Sequence, residues 1–283
     1  MKLIECPRDA MQGLHQFIPT ELKAAYLRLL LQVGFDTLDC GSFVSPKAIP
    51  QMRDTAEVLA QLDLSQTATQ LLAIVANARG ADQACQFEQI SYLGFPLSVS
   101  ETFQQHNTNK SIAEALNEVT QMAELCSQHH KQLVVYLSMG FGNPYGDPYH
   151  PGIVQELAEK LVNTGIRIIA LSDTVGAATP ESIQILFASL IPSFPQVEFG
   201  AHLHSTPHTV TEKAEAAYEA GCRRFDGALK GFGGCPMASD ALTGNLPTEQ
   251  VIAFMEEKGV ALNLDKTKLE EAIRLADQVF VNG

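Results

Sequence analysis

Two imidazoles separated by one residue, in His202-Leu203-His204, are the strongest sign of chemistry in the chain. On an extended backbone, side chains at i and i+2 leave the same face, so both rings can approach one ion. Imidazole suits a divalent transition ion. Arg8 and Asp9, within Cys6-Pro7-Arg8-Asp9-Ala10-Met11-Gln12, add a fixed cation and a hard carboxylate oxygen. Asp9 can join the histidines, and Arg8 can stabilise negative charge growing on a carbonyl or enolate oxygen. A surface ion pair or turn is the plainer use of such a dipeptide. Gln12 either hydrogen-bonds a substrate or anchors the loop. Asp39 and Asp173 can each orient Arg8, bind a substrate hydroxyl or move a proton. Either can equally serve as a loop cap. His208 reads as a polar or capping histidine.

A second segment, Lys230-Gly231-Phe232-Gly233-Gly234-Cys235-Pro236, is glycine-rich. Its glycines permit a tight turn and can turn backbone N–H groups toward an anion. It lacks the Gly-Lys-Ser/Thr ending of a P-loop, which excludes a nucleoside-triphosphate motor on that motif. Cys235 is either a thiol acid/base or a small buried hydrophobe. Asn245, in Gly244-Asn245-Leu246, carries an amide oxygen that can ligate a cation, and a turn or cap is its plainer reading.

The elements that must position these groups alternate along the chain. Candidate strands are Leu3–Cys6, Phe35–Asp39, Leu71–Val75, Ile90–Val99, Leu133–Leu137, Ile166–Leu171, Val197–His202 and Arg224–Ala228. The fourth is expected to be shorter than its apolar span. Their β-branched content between Gly, Pro and polar breaks fits buried parallel strands. Thr20–Val33, Ser111–His129, Pro151–Asn163, Pro180–Leu190 and Thr211–Ala220 read as helices, with Gly34 placed for a left-handed cap. The repeated strand–helix order predicts an α/β protein, and eight strands favour closure as a (β/α)8 TIM barrel. A Gly-, Pro- and Tyr-rich stretch, 140–151, reads as an ordered loop. Two terminal helices, Thr248–Lys258 and Leu269–Val279, form a short C-terminal extension joined through Asn263–Lys266. The whole chain, 1–283, is expected to be a single catalytic domain that includes those helices from about residue 248. In such a barrel the strand ends carrying Asp9, Asp39, Asp173 and the histidines share one face.

Composition narrows the function. A formal charge of −13 argues against a nucleic-acid partner, which requires a basic face. Six scattered cysteines without a CxxC pair fit a reducing compartment rather than a disulfide framework. The short apolar runs cannot span a bilayer, and the N-terminus shows no secretory pattern. The expectation is a cytoplasmic protein without a membrane partner.

Taken together, the stretches PRDAMQ (7–12), SFVSPKAIPQM (42–52), LSDTVG (171–176), HLH (202–204), GFGGCP (231–236) and GNLPTE (244–249) resemble the hydroxymethylglutaryl-CoA lyase family. That family belongs to a group of metal-dependent barrels that also includes isopropylmalate and citramalate synthases. The resemblance runs from Leu3 to at least Glu249. It implies a divalent cation, Mg or Mn, held by Asp9, His202, His204 and Asn245. It further implies Arg8 as the enolate-stabilising arginine, Cys235 as the catalytic cysteine, and Asp173 as an acidic residue beside the substrate hydroxyl. Asp39 joins these as a catalytic carboxylate, with Gln12 and Asn107 on the substrate. The implied reaction is retro-Claisen cleavage of 3-hydroxy-3-methylglutaryl-CoA to acetyl-CoA and acetoacetate, in a homodimer.

Two departures bear on specificity. Asp39 stands where the lyase pattern has Glu, and Ser205 follows HLH where Asp is common; Thr206-Pro207-His208 also departs from a Thr-Tyr-Gly run. The implied ligands survive these changes. A related branched 3-hydroxyacyl-CoA, or condensation of acetyl-CoA with a 2-oxo acid, stays open as alternative chemistry. A barrel that binds metal and acyl-CoA without turnover is the non-enzymatic alternative.

Overall fold

A computed structural model describes residues 1–234 and 243–280. Eight parallel strands close a barrel: β1 (Lys2–Glu5), β2 (Thr37–Ser42), β3 (Gln70–Ile74), β4 (Ile90–Ser98), β5 (Gln132–Ser138), β6 (Ile168–Ser172), β7 (Glu198–His202) and β9 (Arg224–Gly227). Closure is made by β1, which pairs with β2 on one side and with β9 on the other, Ile4 facing Asp226. A two-residue strand β8 (His204–Ser205) pairs antiparallel with β10 (Gly244–Asn245) outside the barrel. The alternation expected from the sequence is thus a closed (β/α)8 barrel with C-terminal helices α10 (Thr248–Glu257) and α11 (Lys266–Phe280).

The main helices follow the anticipated spans. α2 (Thr20–Val33) ends at Gly34, whose φ of 89° is the left-handed cap expected there. α6 (Ile112–Gln128), α7 (Pro151–Asn163), α8 (Pro180–Ser193) and α9 (Val210–Glu219) complete the long helices. Ser111 and Thr179 start α6 and α8 with capping boxes, each side chain accepting from the third helical N–H. Four short helices were not anticipated: α1 (Pro7–Gln12), α3 (Thr55–Leu59), α4 (Ala78–Cys85) and α5 (Glu101–Thr108). Their eight residues or fewer span about two turns, too few for a 3.6-residue period to stand out.

Several boundaries differ from expectation, among them the starts of β2 and β6 and the end of α8, which runs on to Ser193. β2 does not end at Asp39 but continues to Ser42, because a register shift between Asp39 and Gly41 carries the pairing with β3 past the carboxylate. β4 is shorter than its apolar span, as expected, but only by Val99: every residue from Tyr92 to Ser98 pairs with β5. α11 begins at Lys266 rather than Leu269, with Asp265 Oδ1 accepting from Lys268 N at 3.0 Å in its first turn.

The core has two layers. Leu72, Ile74, Val134, Tyr136, Ile168 and Ala170 fill the barrel interior, while a larger apolar layer lies between strands and helices. At β7 and β9 the interior is polar. Arg224 is fully buried, and its stem passes over Gly200, where a Cβ would lie 2.9 Å from Arg224 Cδ. Its Nη1 donates to Glu198 Oε1 at 3.2 Å. Glycine at 200 is therefore what admits an arginine into the barrel. Among the described residues no helix is long and apolar enough to cross a membrane.

Candidate metal centre

The chain leaves β1 directly into α1, with Pro7 at the first helical position, where its missing N–H costs nothing. This turn sets Arg8 against β2. Arg8 Nε donates to Asp39 Oδ2 at 3.0 Å, and Nη2 donates to the same oxygen. Nη1 donates to Asp9 Oδ1 at 3.0 Å and to Gln12 Oε1 at 2.9 Å. Gln12 in turn donates to Asp9 Oδ1 at 2.8 Å, so the four side chains form one locked group. Arg8 and Asp39 are both buried. Of the roles open to Asp39, the geometry gives it the orientation of Arg8. Gln12 anchors Arg8 and Asp9 and also faces the cavity.

Each histidine is fixed through Nδ1. In His202 this atom lies 3.2 Å from Asp226 Oδ2 on β9. In His204 it lies 3.1 Å from the carbonyl of Thr174, an acceptor only, so Nδ1 carries the proton and Nε2 the lone pair. That Nε2 is buried and has no hydrogen-bond partner among the described residues. The ring centroids are 5.7 Å apart, and ligand atoms of Asp9, His202 and His204 all lie within 4.8 Å of one another. An orphaned imidazole nitrogen beside a carboxylate, with both rings held from behind, is the donor set a cation fits. The short β8–β10 ladder brings in the fourth residue by setting Asn245 opposite His204. Asn245 Nδ2 donates to Asp9 Oδ2 and to the Phe232 carbonyl, both at 2.8 Å, which commits its N–H groups and leaves its oxygen as the atom with lone pairs to offer.

A second potential set, Cys6, His202 and Asp226, shares one histidine with the first. Burial, with Asp226 and Asp39 adding to it, pushes the Cys6 thiol well up, and Asp226 already holds the Nδ1 side of His202. The thiol is therefore protonated and a poor ligand, which favours the Asp9 set.

Electrostatics match that assignment. Burial alone would raise the Asp9 pKa, but Arg8, the two histidines and the Asn245 hydrogen bond bring it down to about 2. Burial and then the neighbouring His202 lower His204, keeping it neutral. At His202 burial opposes protonation, and the Asp226 hydrogen bond and charge outweigh it, raising the pKa. Burial lifts Asp39 to about 6, with Arg8 limiting the rise.

The group opens into a cavity of about 480 Å³ at the C-terminal ends of the strands. Ser138, Ser172 and Thr174 give it a hydroxyl side, while Val44, Ile49, Ile74 and Pro96 form an apolar wall. Asn107 on α5 lies on its lining, as anticipated. Asp173 is not among the lining residues: one of its oxygens accepts from Lys213 Nζ at 2.8 Å and the other from Ala178 N at 3.0 Å. It is brought near the histidines without facing the cavity. His208 is exposed on the turn beyond β8. Cys235 lies outside the described residues.

Sequence reasoning missed Asp226 and Lys213. Asp226 had a signal in Arg224-Phe225-Asp226, where charges at i and i+2 occupy a strand that should be apolar. Lys213 had none, because a lysine among the glutamates of a helix reads as solvated surface.

The HMGL-like sequence family matches residues 3–276. The chain is 32% identical over 272 residues to a hydroxymethylglutaryl-CoA lyase of Bacillus subtilis (strain 168), covering 96% of this chain and 90% of that one. Among solved structures, a B. subtilis HMG-CoA lyase superposes with a TM-score of 0.93 at 30% identity, covering 99% of this chain and 93% of that one. An HMG-CoA lyase from Acinetobacter baumannii, in complex with coenzyme A and 3-methylmalate, gives 0.90 at 31% identity, with coverage of 99% and 91%.

Proposed function

The chain belongs to the HMGL-like family, and from that premise we propose that it is a carbon–carbon lyase cleaving 3-hydroxy-3-methylglutaryl-CoA to acetyl-CoA and acetoacetate. The observation that carries this reading is the convergence of Asp9, His202 and His204 beside Arg8 at one cavity. We further propose Mg or Mn as the cation, held by Asp9, His202, His204 and Asn245. Bound there, a divalent ion supplies Lewis acidity that polarises substrate oxygens.

The chain's own residues then have distinct tasks. The C3 hydroxyl loses its proton, its electron pair forms the ketone of acetoacetate, and the C2–C3 bond breaks. The released pair moves to the acetyl thioester as an enolate. Arg8, prevented from turning by Asp39 and Gln12, meets the charge growing on the thioester oxygen. The enolate carbon then takes up that same proton, a relay we assign to Cys235, whose thiolate accepts it from the C3 hydroxyl and whose thiol returns it to the carbon. Asp39 acts through Arg8, and Asp173 positions rather than reacts, since both its oxygens are engaged. Gln12 and Asn107 contact the bound acyl-CoA, and the apolar wall excludes water from the enolate. The reading extends to a single catalytic domain and, from family resemblance alone, to a homodimer. A cytoplasmic location is supported by five described cysteines that are all buried and free.

Incubating the purified protein with 3-hydroxy-3-methylglutaryl-CoA should release acetoacetate and acetyl-CoA in equal amounts, dependent on Mn or Mg. Release from a different branched 3-hydroxyacyl-CoA alone would change the substrate and keep the chemistry. Consumption of acetyl-CoA with a 2-oxo acid, without any cleavage, would make the chain a synthase. Acyl-CoA and metal binding with no turnover across the panel would sink the enzyme reading.

A further inference from the structure

Lys213 lies on α9 and is buried, with its side chain 5% exposed. Its Nζ has three donors and three acceptors: Asp173 Oδ2 at 2.8 Å, the His204 carbonyl at 2.8 Å and the Gly176 carbonyl at 3.5 Å. All three lie on the two segments that shape the candidate centre. One is the main chain of His204 itself. The other two belong to the loop after β6, which also supplies the Thr174 carbonyl that holds the His204 ring. The loop is tied further by Asp173 Oδ1 to Ala178 N and by Thr174 Oγ1 to Met139 N at 2.8 Å.

We infer that Lys213 is a positioning residue for the cation site, aiming His204 Nε2 by gripping the histidine's main chain and the loop that holds its ring. This rests on the proposed reading of Asp9, His202, His204 and Asn245 as cation ligands. Without Nζ, the His204 carbonyl and Asp173 lose a buried donor, and the loop that presents the Thr174 carbonyl to the ring loses its tie to α9. A partner of this kind behind a ligating histidine is worth roughly 10- to 100-fold in metal affinity. The chain carries its own control. Lys23 is equally buried and bonds Asp54 and the Gln51 carbonyl, yet touches no segment that bears a ligand.

The test is calorimetric titration of the metal-stripped full chain with Mn²⁺, with electron paramagnetic resonance of the bound ion. Lys213→Met should bind Mn²⁺ roughly 10- to 100-fold more weakly than wild type and alter the resonance linewidth. Lys23→Met should melt earlier while keeping wild-type affinity and linewidth. Affinity within about twofold of wild type in Lys213→Met, well below the loss expected of such a partner, would overturn the assignment. So would an equal loss in both variants, which would reveal a general effect of burying one lysine fewer. If Lys213→Met does not fold, Asp173→Asn decides, because it breaks the ion pair while keeping side-chain size. A loss of about tenfold or more with native circular dichroism supports the role, and unchanged affinity overturns it. A wild-type chain that binds no Mn²⁺ overturns the metal centre itself and the role of Lys213 with it, whereas binding that Lys213→Met leaves intact overturns only the latter.

Discussion

Arg8 illustrates how much of a site residue's behaviour is set by what holds it. Its guanidinium bonds Asp39, Asp9 and Gln12, so little rotational freedom remains to be lost when substrate arrives. Burial alone would oppose its charge, but Asp39 and then Asp9 outweigh that cost and keep it cationic. The shorter carboxylate at Asp39 still reaches the arginine, because β2 runs on through Asp39 and sets it alongside β1. Arg8→Gln removes the fork and the charge together. Asp9 keeps its bonds from Gln12 and Asn245 in that variant, so Mn affinity should change little. The kcat for acetoacetate release should fall by about 10²–10³, the usual cost of removing a donor aimed at a developing oxyanion. A kcat close to wild type would show that Arg8 only shapes the pocket.

At the scale of elements, Glu5 shows how β1 is tied to the far end of the chain. Its carboxyl accepts from Leu229 N at 2.9 Å, just past β9, and also bonds Thr248 Oγ1 at the start of α10. Burial pushes its pKa up to about 8, against the pull of those two hydrogen bonds. The folded chain therefore keeps a proton that the unfolded chain gives up near the ordinary carboxylate value. The stabilisation is complete below that value and is lost as pH rises through about 8. Glu5→Gln keeps an acceptor and a donor but cannot titrate. Its stability relative to wild type should thus grow between about pH 5 and 8 and level off above, by several kcal/mol overall. Urea midpoints for both proteins across that range measure it, and a difference independent of pH would refute a protonated Glu5. The same scale explains what could be read in advance. β-Branched runs and the i, i+2 spacing of His202 and His204 are local signals, so the strands and the candidate histidine pair were legible. The partners of those groups are long-range: Asp226 meets His202 through the β7–β9 pairing, and Lys213 meets Asp173 across 40 residues. Asp173 left loop capping, a substrate hydroxyl and proton transfer all open, because its own sequence gave no hint that Ala178 N and Lys213 would occupy both its oxygens.

For the whole molecule, the candidate ligands are spread from Asp9 to Asn245, so a single ion would tie together segments at opposite ends of the chain. Asp9 follows the strand that closes the barrel against β9, and Asn245 follows β9 itself. A cation bound only by the folded chain should stabilise the entire barrel, by about 2.7 kcal/mol when free metal is 100 times its Kd. The net charge of −13 complicates such an experiment, because any divalent ion also screens a repulsive acidic surface. His204→Ala separates the two effects. It removes the orphaned Nε2 while leaving the surface charge unchanged, so diffuse screening should stabilise it as much as wild type. Melting curves with and without Mn, at fixed ionic strength, should show a large increment for wild type and only the screening increment for His204→Ala. Its metal-free melting temperature should fall, since the buried ring and its Nδ1 bond to the Thr174 carbonyl are lost, so the quantity compared is the increment that Mn gives within each protein. Equal increments in both proteins would assign the stabilisation to surface charge and remove His204 from the ligand set.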